Sequence, residues 1–378
     1  MKIAILGHGV VGSGVRQIIE AKKKEEIEII SILVKDQNEV NDERFTTDAQ
    51  DILNNPEIET VIECMGGDEP AHSYVKTALE KGKNVISANK KMLSNRLDLF
   101  ETAEKNNVKL LIEASCGGGI PWLINLRRIR RNDDIKEISG ILNGTTNYLL
   151  SRLFSEDISF EEALKNAQKL GYAERDPSDD ICGYDVRYKL DLSIYEAFDL
   201  LVDNKEIPTY GISAINDKDI AYAKKNGCTI KLVARASYEN DKLNAIVMPV
   251  MLKKDTVFAN ISSNYNIVEC VSDYLGKADF IGQGAGSFPT GHAIVQDLID
   301  LCEGKTEDTK HKAVKKNVDN DFDGIFYIRH NKTDVFEEYT DERIAEDSFI
   351  TCKCAFRNIE RLFKENEDEK MFIMEVEG

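Results

Sequence analysis

KIAILGHGVVGSGVRQII, residues 2–19, decides the fold class. A short apolar run, Ile3 to Leu6, is followed at once by glycines at 7, 9 and 12, and then by an amphipathic helical pattern. This is G-x-G-x-x-G between a strand and a helix. Gly7 permits the tight turn, Gly9 lets the backbone approach a pyrophosphate, and Gly12 allows close helix packing. The helix start at Val10 and Val11 then offers unpaired N–H groups to phosphate. The stretch predicts a dinucleotide-binding loop, the alternative being a strand-to-helix turn that binds nothing. His8, between glycines and with no carboxylate to orient it, reads as a solvent-facing loop residue.

The next strand, EIEIISILV, ends at Lys35-Asp36. An acidic residue at that tip holds a ribose 2′-hydroxyl, whereas a cation holds a 2′-phosphate. With both side by side the cofactor is NADP or NAD, and Lys35 tilts the expectation toward NADP. Further strands at TVIECM, NVISA and KLLIEAS alternate with helical patterns. The alternation predicts an α/β fold with a doubly wound parallel sheet. Ligands of such sheets lie beyond the carboxyl ends of the strands. That groups Gly66-Gly67, residues 87–90 and residues 113–116, and makes Lys90 a candidate for contact with cofactor or substrate.

With 378 residues the chain has room for two or three domains. Its net charge of -18 argues against nucleic acid or an anionic membrane surface as partner, since both require a basic face. An anionic cofactor is held only where backbone amides and a few lysines reverse the local field. No signal-peptide pattern opens the sequence and no 18-residue apolar run occurs. The eight cysteines are scattered without a CxxC pair. Cys352 and Cys354 would share a strand face, but nothing nearby completes a metal shell. The expectation is reduced thiols in a cytoplasmic protein.

After residue 125 the pattern changes. IKEISGILNGTTNYLLSRLF reads as strand, Gly-Thr-Thr turn and helix; SFEEALKNAQKLGYAE follows as a helix. Ser159 is its cap, Glu162 completes a capping box and Gly171 ends it. GYAERDPSDD is a loop in which Asp176 before Pro177 is turn chemistry. Arg175, Asp179 and Asp180 are expected to face solvent or to bond within the loop. In the next helix Asp185 and Lys189 are four residues apart, on one face. Spacing alone fits two readings equally: a surface ion pair worth a few tenths of a kcal/mol, or an acid/base group held by a carboxylate.

In chain order, GHGVVG, VIECMGG, ISANKKML, IEASCGGGIP, GILNGTTNYLL, AQKLGYAERDPSDDICGYDVRYKL and GQGAGSFPTGHAIVQDL resemble the signature blocks of homoserine dehydrogenase. The resemblance implies reversible NAD(P)-dependent interconversion of L-homoserine and L-aspartate 4-semialdehyde, in threonine and methionine biosynthesis. It implies that Glu174 and Asp185 bind homoserine and that Lys189 gives and takes the proton at the reacting oxygen. Lys90 would contact the cofactor and approach the substrate, competing with Lys189 for the proton role. Gly144, Thr145 and Tyr172 match positions near the substrate, and Gly282 matches the loop by the nicotinamide. EASCGGGI resembles a monovalent-cation loop, with sodium held by Glu113 and the backbone carbonyls of Cys116, Gly118 and Ile120. The other reading of that glycine-rich turn is a close backbone crossing. A homodimer through the middle domain is also implied.

The expected layout is a dinucleotide-binding domain at 1–125, completed by a helix at 289–302, and an α+β substrate and dimerisation domain at 126–288. A charged linker follows at 303–322. A short α+β appendage at 323–378 resembles a shortened ACT module or is an unrelated cap. Tyr184 and Tyr188 stand where small residues are common in the family. Two rivals remain: a phosphorylating semialdehyde dehydrogenase with Cys116 as nucleophile, and a non-catalytic NAD(P)-sensing protein.

Overall fold

The strand Lys2–Leu6 lies inside a six-stranded sheet whose spatial order is Phe45–Thr46, Glu28–Leu33, Lys2–Leu6, Thr60–Glu63, Asn84–Ser87, Leu110–Leu111. Every pairing is parallel. The chain builds outward on one side of Lys2–Leu6 and then returns to build outward on the other. The order therefore reverses between Lys2–Leu6 and Thr60–Glu63, where Leu6 pairs with Glu63. Sheets covered on both faces carry continuous apolar strands, and Ile3, Ala4, Ile5 and Leu6 are all fully buried. The helix Ser287–Cys302 packs on the helix Val10–Lys22. Glycines make that approach possible: a Cβ on Gly14 would lie 2.5 Å from the Ser287 carbonyl oxygen.

The computed structural model describes residues 1–378 except 23–25, 41, 157, 307–312, 367, 369 and 378. Six of the residues expected to form the charged linker thus lie outside the described set. The chain forms two units. The first comprises Met1–Arg131, Asp191–Leu201 and Gly282–Val314; the second comprises Asn132–Leu190, Val202–Ile281 and Lys315–Gly378. The helix Tyr184–Phe198 belongs to the second unit through Leu190 and to the first from Asp191 onward.

The second unit is built on a nine-stranded mixed sheet. Its order is Gly276–Gln283, Tyr265–Ser272, Ile135–Ile141, Cys228–Glu239, Lys242–Lys253, Phe372–Val376, Phe326–Arg329, Ser348–Thr351, Thr340–Ala345. A long antiparallel hairpin, Cys228–Glu239 with Lys242–Lys253, is its spine. The C-terminal segment does not fold apart from this sheet. Val250 and Met251 pair in parallel with Glu375 and Val376, and the remaining C-terminal strands extend from there. Thr340–Ala345 is a strand the sequence reading did not anticipate.

A buried ion pair fixes the C-terminal segment. Arg329 meets Asp219 through Nε–Oδ1 and Nη2–Oδ2, both at 3.0 Å, and the Tyr327 hydroxyl donates to Asp219 Oδ1 at 2.8 Å. Asp219 also accepts from the Asn216 N–H in a capping box that starts the helix Asp217–Lys225. Helix Phe160–Leu170 is capped by Ser159, whose side chain accepts from the Glu162 N–H. The reciprocal bond expected of Glu162 is replaced by a contact of Glu161 with the Ser159 hydroxyl. Gly171 ends that helix at φ 77°, where a side chain would be strained.

Candidate active site

The glycine loop has the geometry its sequence demands. Gly7 sits at φ 98°, and a Cβ there would lie 2.9 Å from the Cys64 carbonyl oxygen. A Cβ on Gly12 would fall 2.0 Å from the Gly7 oxygen, so the turn closes only with glycine. Nothing stands within 4 Å of the Cβ position of Gly9, and Val10 is 70% exposed. The start of helix Val10–Lys22 is therefore open to an anion, with no acidic residue in its first turn. His8 corrects the sequence expectation. It is half-buried, with its ring edge-on to Phe45 at 5.1 Å, because the short strand Phe45–Thr46 brings an aromatic ring beside the loop.

At the next strand tip Lys35 is exposed. Asp36 turns its carboxylate onto the Asn38 N–H at 2.9 Å and caps the short 3-10 turn Gln37–Glu39. Lys90 is the first residue of helix Lys90–Asn95, whose cap is Asn89, and it is half-buried.

In the second unit the Asp185–Lys189 pair is buried, at 6% and 7% exposure. Gly183, at φ 84°, turns the chain into their helix. Lys189 Nζ donates to Asp185 Oδ2 at 2.7 Å and to the Leu142 carbonyl at 2.7 Å. The surface-pair reading is excluded by this burial. Asn143, which sequence reading passed over, organises the surroundings. Its Nδ2 donates to Asp185 Oδ2 at 2.8 Å and to Asp180 Oδ1 at 2.7 Å, while its Oδ1 caps helix Gly144–Ser155 at the Thr146 N–H. The signal was available: Asn immediately before Gly-Thr-Thr is an N-cap residue type. Asp180, expected to face solvent or to bond within its loop, is half-buried and is bonded by Asn143 from outside that loop.

Gly144 and Thr145 open that capped helix, and the Thr145 hydroxyl donates to the Tyr172 carbonyl at 2.5 Å. A Cβ on Gly144 would lie 3.0 Å from the Asn264 oxygen. Tyr172 is exposed, and its ring lies 4.9 Å from that of Tyr148 at a tilt of 44°. Glu174 lies on the same loop and is exposed. Asp176 accepts from the Ser178 N–H and hydroxyl, the expected turn chemistry. Tyr184 and Tyr188 flank Arg187, whose guanidinium lies 4.8 and 5.6 Å from their rings.

In the glycine-rich turn after Glu113 the backbone passes close to a second stretch of chain. Gly117 and Gly118 have φ 80° and 58°, and a Cβ on Gly118 would sit 2.4 Å from the Gly284 oxygen. Gly282 packs on Ile120, with its Cβ position 3.0 Å from Ile120 Cγ1. Glu113 is buried; its Oε2 accepts from the Ile124 N–H at 2.7 Å, while its Oε1 is buried with no hydrogen-bond partner among the described residues. Burial first, and then the Asp297 charge, push the Glu113 carboxyl up to about 8. Cys116 is fully buried with its Sγ 3.5 Å from the Ser193 hydroxyl. A thiol so placed offers no line of approach to a carbonyl carbon, which disfavours the nucleophile reading. No group of three or more His, Cys, Asp or Glu side chains suited to a metal occurs among the described residues.

The family model for homoserine dehydrogenase matches residues 121–299, and that for the homoserine dehydrogenase NAD-binding domain matches residues 7–113. The chain belongs to the homoserine dehydrogenase family. It is 38% identical to homoserine dehydrogenase of Synechocystis over 80% of this chain and 73% of that one. Against the Bacillus subtilis homoserine dehydrogenase the identity is 34% over the same shares. Among solved structures, homoserine dehydrogenase of Thiobacillus denitrificans superposes with TM-score 0.89 at 27% identity, covering 100% of this chain and 98% of that one. A hyperthermophilic archaeal homoserine dehydrogenase in complex with NADPH has TM-score 0.70 at 25% identity, over 81% and 98%. Members of this family are NAD(P)-dependent oxidoreductases acting on the CH–OH group of homoserine, and the parallel sheet is the dinucleotide-binding domain.

Proposed function

We propose that Lys189 is the proton donor and acceptor for interconversion of L-homoserine and L-aspartate 4-semialdehyde. The observation that carries this is the buried pair: an amine fixed by Asp185 Oδ2 and the Leu142 carbonyl, each at 2.7 Å. The nicotinamide supplies hydride chemistry when bound. What is left for the chain is the proton. As the hydroxyl carbon is oxidised, the oxygen must lose its proton; as the aldehyde is reduced, the oxygen must gain one. A lysine held in a fixed direction meets that need in both directions, reduction of the aldehyde being the biosynthetic one.

Glu174 and Asp185 take the substrate ammonium and hydroxyl. Gly144, Thr145 and Tyr172 shape the wall beside them. Gly7, Gly9, Val10, Val11 and Gly12 receive the pyrophosphate, Lys90 and Gly282 the nicotinamide side, and Lys35 a 2′-phosphate. NADP is favoured over NAD because Lys35 is exposed while the Asp36 carboxylate is already bonded to its own turn. The residues fit a sodium ion: Glu113 Oε1 is a buried oxygen without a hydrogen-bond donor among the described residues, and a hard cation prefers oxygen. Glu113 with the carbonyls of Cys116, Gly118 and Ile120 would hold it. We infer a cytoplasmic homodimer. All eight cysteines are free thiols, and no described helix is long and apolar enough to cross a membrane.

Initial rates with homoserine and with each cofactor, with and without sodium, test the reading. It expects turnover with homoserine and a lower KM for NADP than for NAD. Absence of turnover with homoserine under all four conditions would overturn it.

A further inference from the structure

Glu63 closes the strand Thr60–Glu63 and is fully buried. It pairs with Leu6 across the sheet, at the place where the strand order reverses, and Gly7 follows directly. A parallel sheet receives its ligand at that reversal. A carboxylate buried there costs several kcal/mol unless its oxygens are satisfied, so its donors are informative.

There are four, from two different loops. The Ser87 hydroxyl donates to Oε2 at 2.5 Å, the Met65 N–H to Oε1 at 2.8 Å, and Asn89 Nδ2 to Oε1 at 3.3 Å. The Gly66 N–H also bonds to it. Burial raises the pKa of Glu63 and these donors pull it back down. The same donors tie the loops to each other. Asn89 Nδ2 also reaches the Gly67 carbonyl at 2.7 Å, the Asn89 N–H donates to the Ser87 hydroxyl at 3.1 Å, and Asn89 Oδ1 caps the helix that begins with Lys90. On its other side the 64–67 loop abuts the glycine turn at the Gly7–Cys64 contact. One carboxylate therefore underlies three loops at the switch point.

We propose that Glu63 is a positioning residue for the dinucleotide, its carboxylate locking the 64–67 and 87–90 loops in the arrangement that receives the cofactor. The inference rests on the loop at Gly7 being the dinucleotide site. It requires a strong, charged acceptor. In Glu63→Gln the shape is kept but the charge is lost: the amide NH2 can be met only if the Ser87 hydroxyl turns to accept it, and the remaining oxygen holds the Met65 and Asn89 donors as a weaker, neutral acceptor, so the tie between the two loops is loosened.

The test is NADPH binding by fluorescence titration to the wild-type chain, E63Q and S87A, with melting curves without cofactor and homoserine KM at saturating cofactor. A charged hydrogen-bond acceptor lost from a buried site predicts about a tenfold or larger rise in the NADPH Kd of E63Q and a smaller rise for S87A. Homoserine KM stays within about twofold, a split that general loosening of the fold would not give. NADPH affinity of E63Q within about twofold of wild type overturns the inference, as does an equal loss of homoserine and NADPH affinity. If E63Q does not fold, S87A decides, and an unchanged Kd there overturns it. A wild-type chain that binds neither NADPH nor NADH would instead sink the reading of the glycine loop.

Discussion

Asp185 and Lys189 show what spacing can and cannot tell. Four residues apart on a helix put them on one face, and that was legible in the sequence. Apolar Leu190, Leu192 and Ile194 suggest that part of the helix is buried, but the groups that enclose the pair are unmarked, since Leu142 and Asn143 lie more than forty positions earlier. Asn143 holds Asp185 and Asp180 through one amide, and Asn143→Ala leaves both carboxylates a donor short. We expect kcat/KM for homoserine to fall about tenfold or more, the equivalent of one hydrogen bond to a charged group; an unchanged value would remove Asn143 from the site. Glu174→Gln should raise homoserine KM and leave NADP KM alone, and equal KM values in variant and wild type would contradict its role. Lys35→Gln should hurt NADP more than NAD. Equal effects would take Lys35 out of cofactor choice.

At the scale of elements, the parallel sheet was readable because each strand-helix alternation carries its own local signal, the glycine loop above all. The nine-stranded sheet was not. Residues 372–376 pair with 250–251, and neither segment marks the other in sequence. Arg329 and Asp219 likewise meet only in space. Arg329→Leu would strand the Asp219 carboxylate in the core and should cost about 3–5 kcal/mol of stability in urea unfolding; a loss below about 1 kcal/mol would refute that account of the C-terminal segment. Lys231, in the strand Cys228–Glu239, donates to Asn147 Oδ1 at 2.8 Å and to the Ile261 carbonyl at 2.5 Å. Burial pulls its pKa down to about 8. Between about pH 8 and the ordinary lysine value near 10.5 the unfolded chain binds a proton that the folded chain does not, so stability from this group rises with pH across that window. The wild-type urea midpoint should therefore gain on that of Lys231→Met as pH goes from 8 to 10.5. Parallel pH profiles would contradict the shift.

For the whole molecule, composition set limits that hold at every level. A net charge of -18 leaves anion binding to local devices, and the open start of helix Val10–Lys22 is the one proposed for the pyrophosphate. Family membership rests on matches to residues 7–113 and 121–299, and the signature blocks that carried the resemblance fall mostly in those spans. The proposed homodimer predicts a sedimentation mass near twice that of one chain, and a monomer at micromolar concentration would refute it. The account as a whole turns on a proton handled by one amine. Single-turnover reduction of L-aspartate 4-semialdehyde by NADPH, followed at 340 nm in wild type and Lys189→Ala, addresses it most directly. The account predicts a rate lower by about two to four orders of magnitude in the variant, with NADPH affinity little changed; a rate within about threefold of wild type would contradict it.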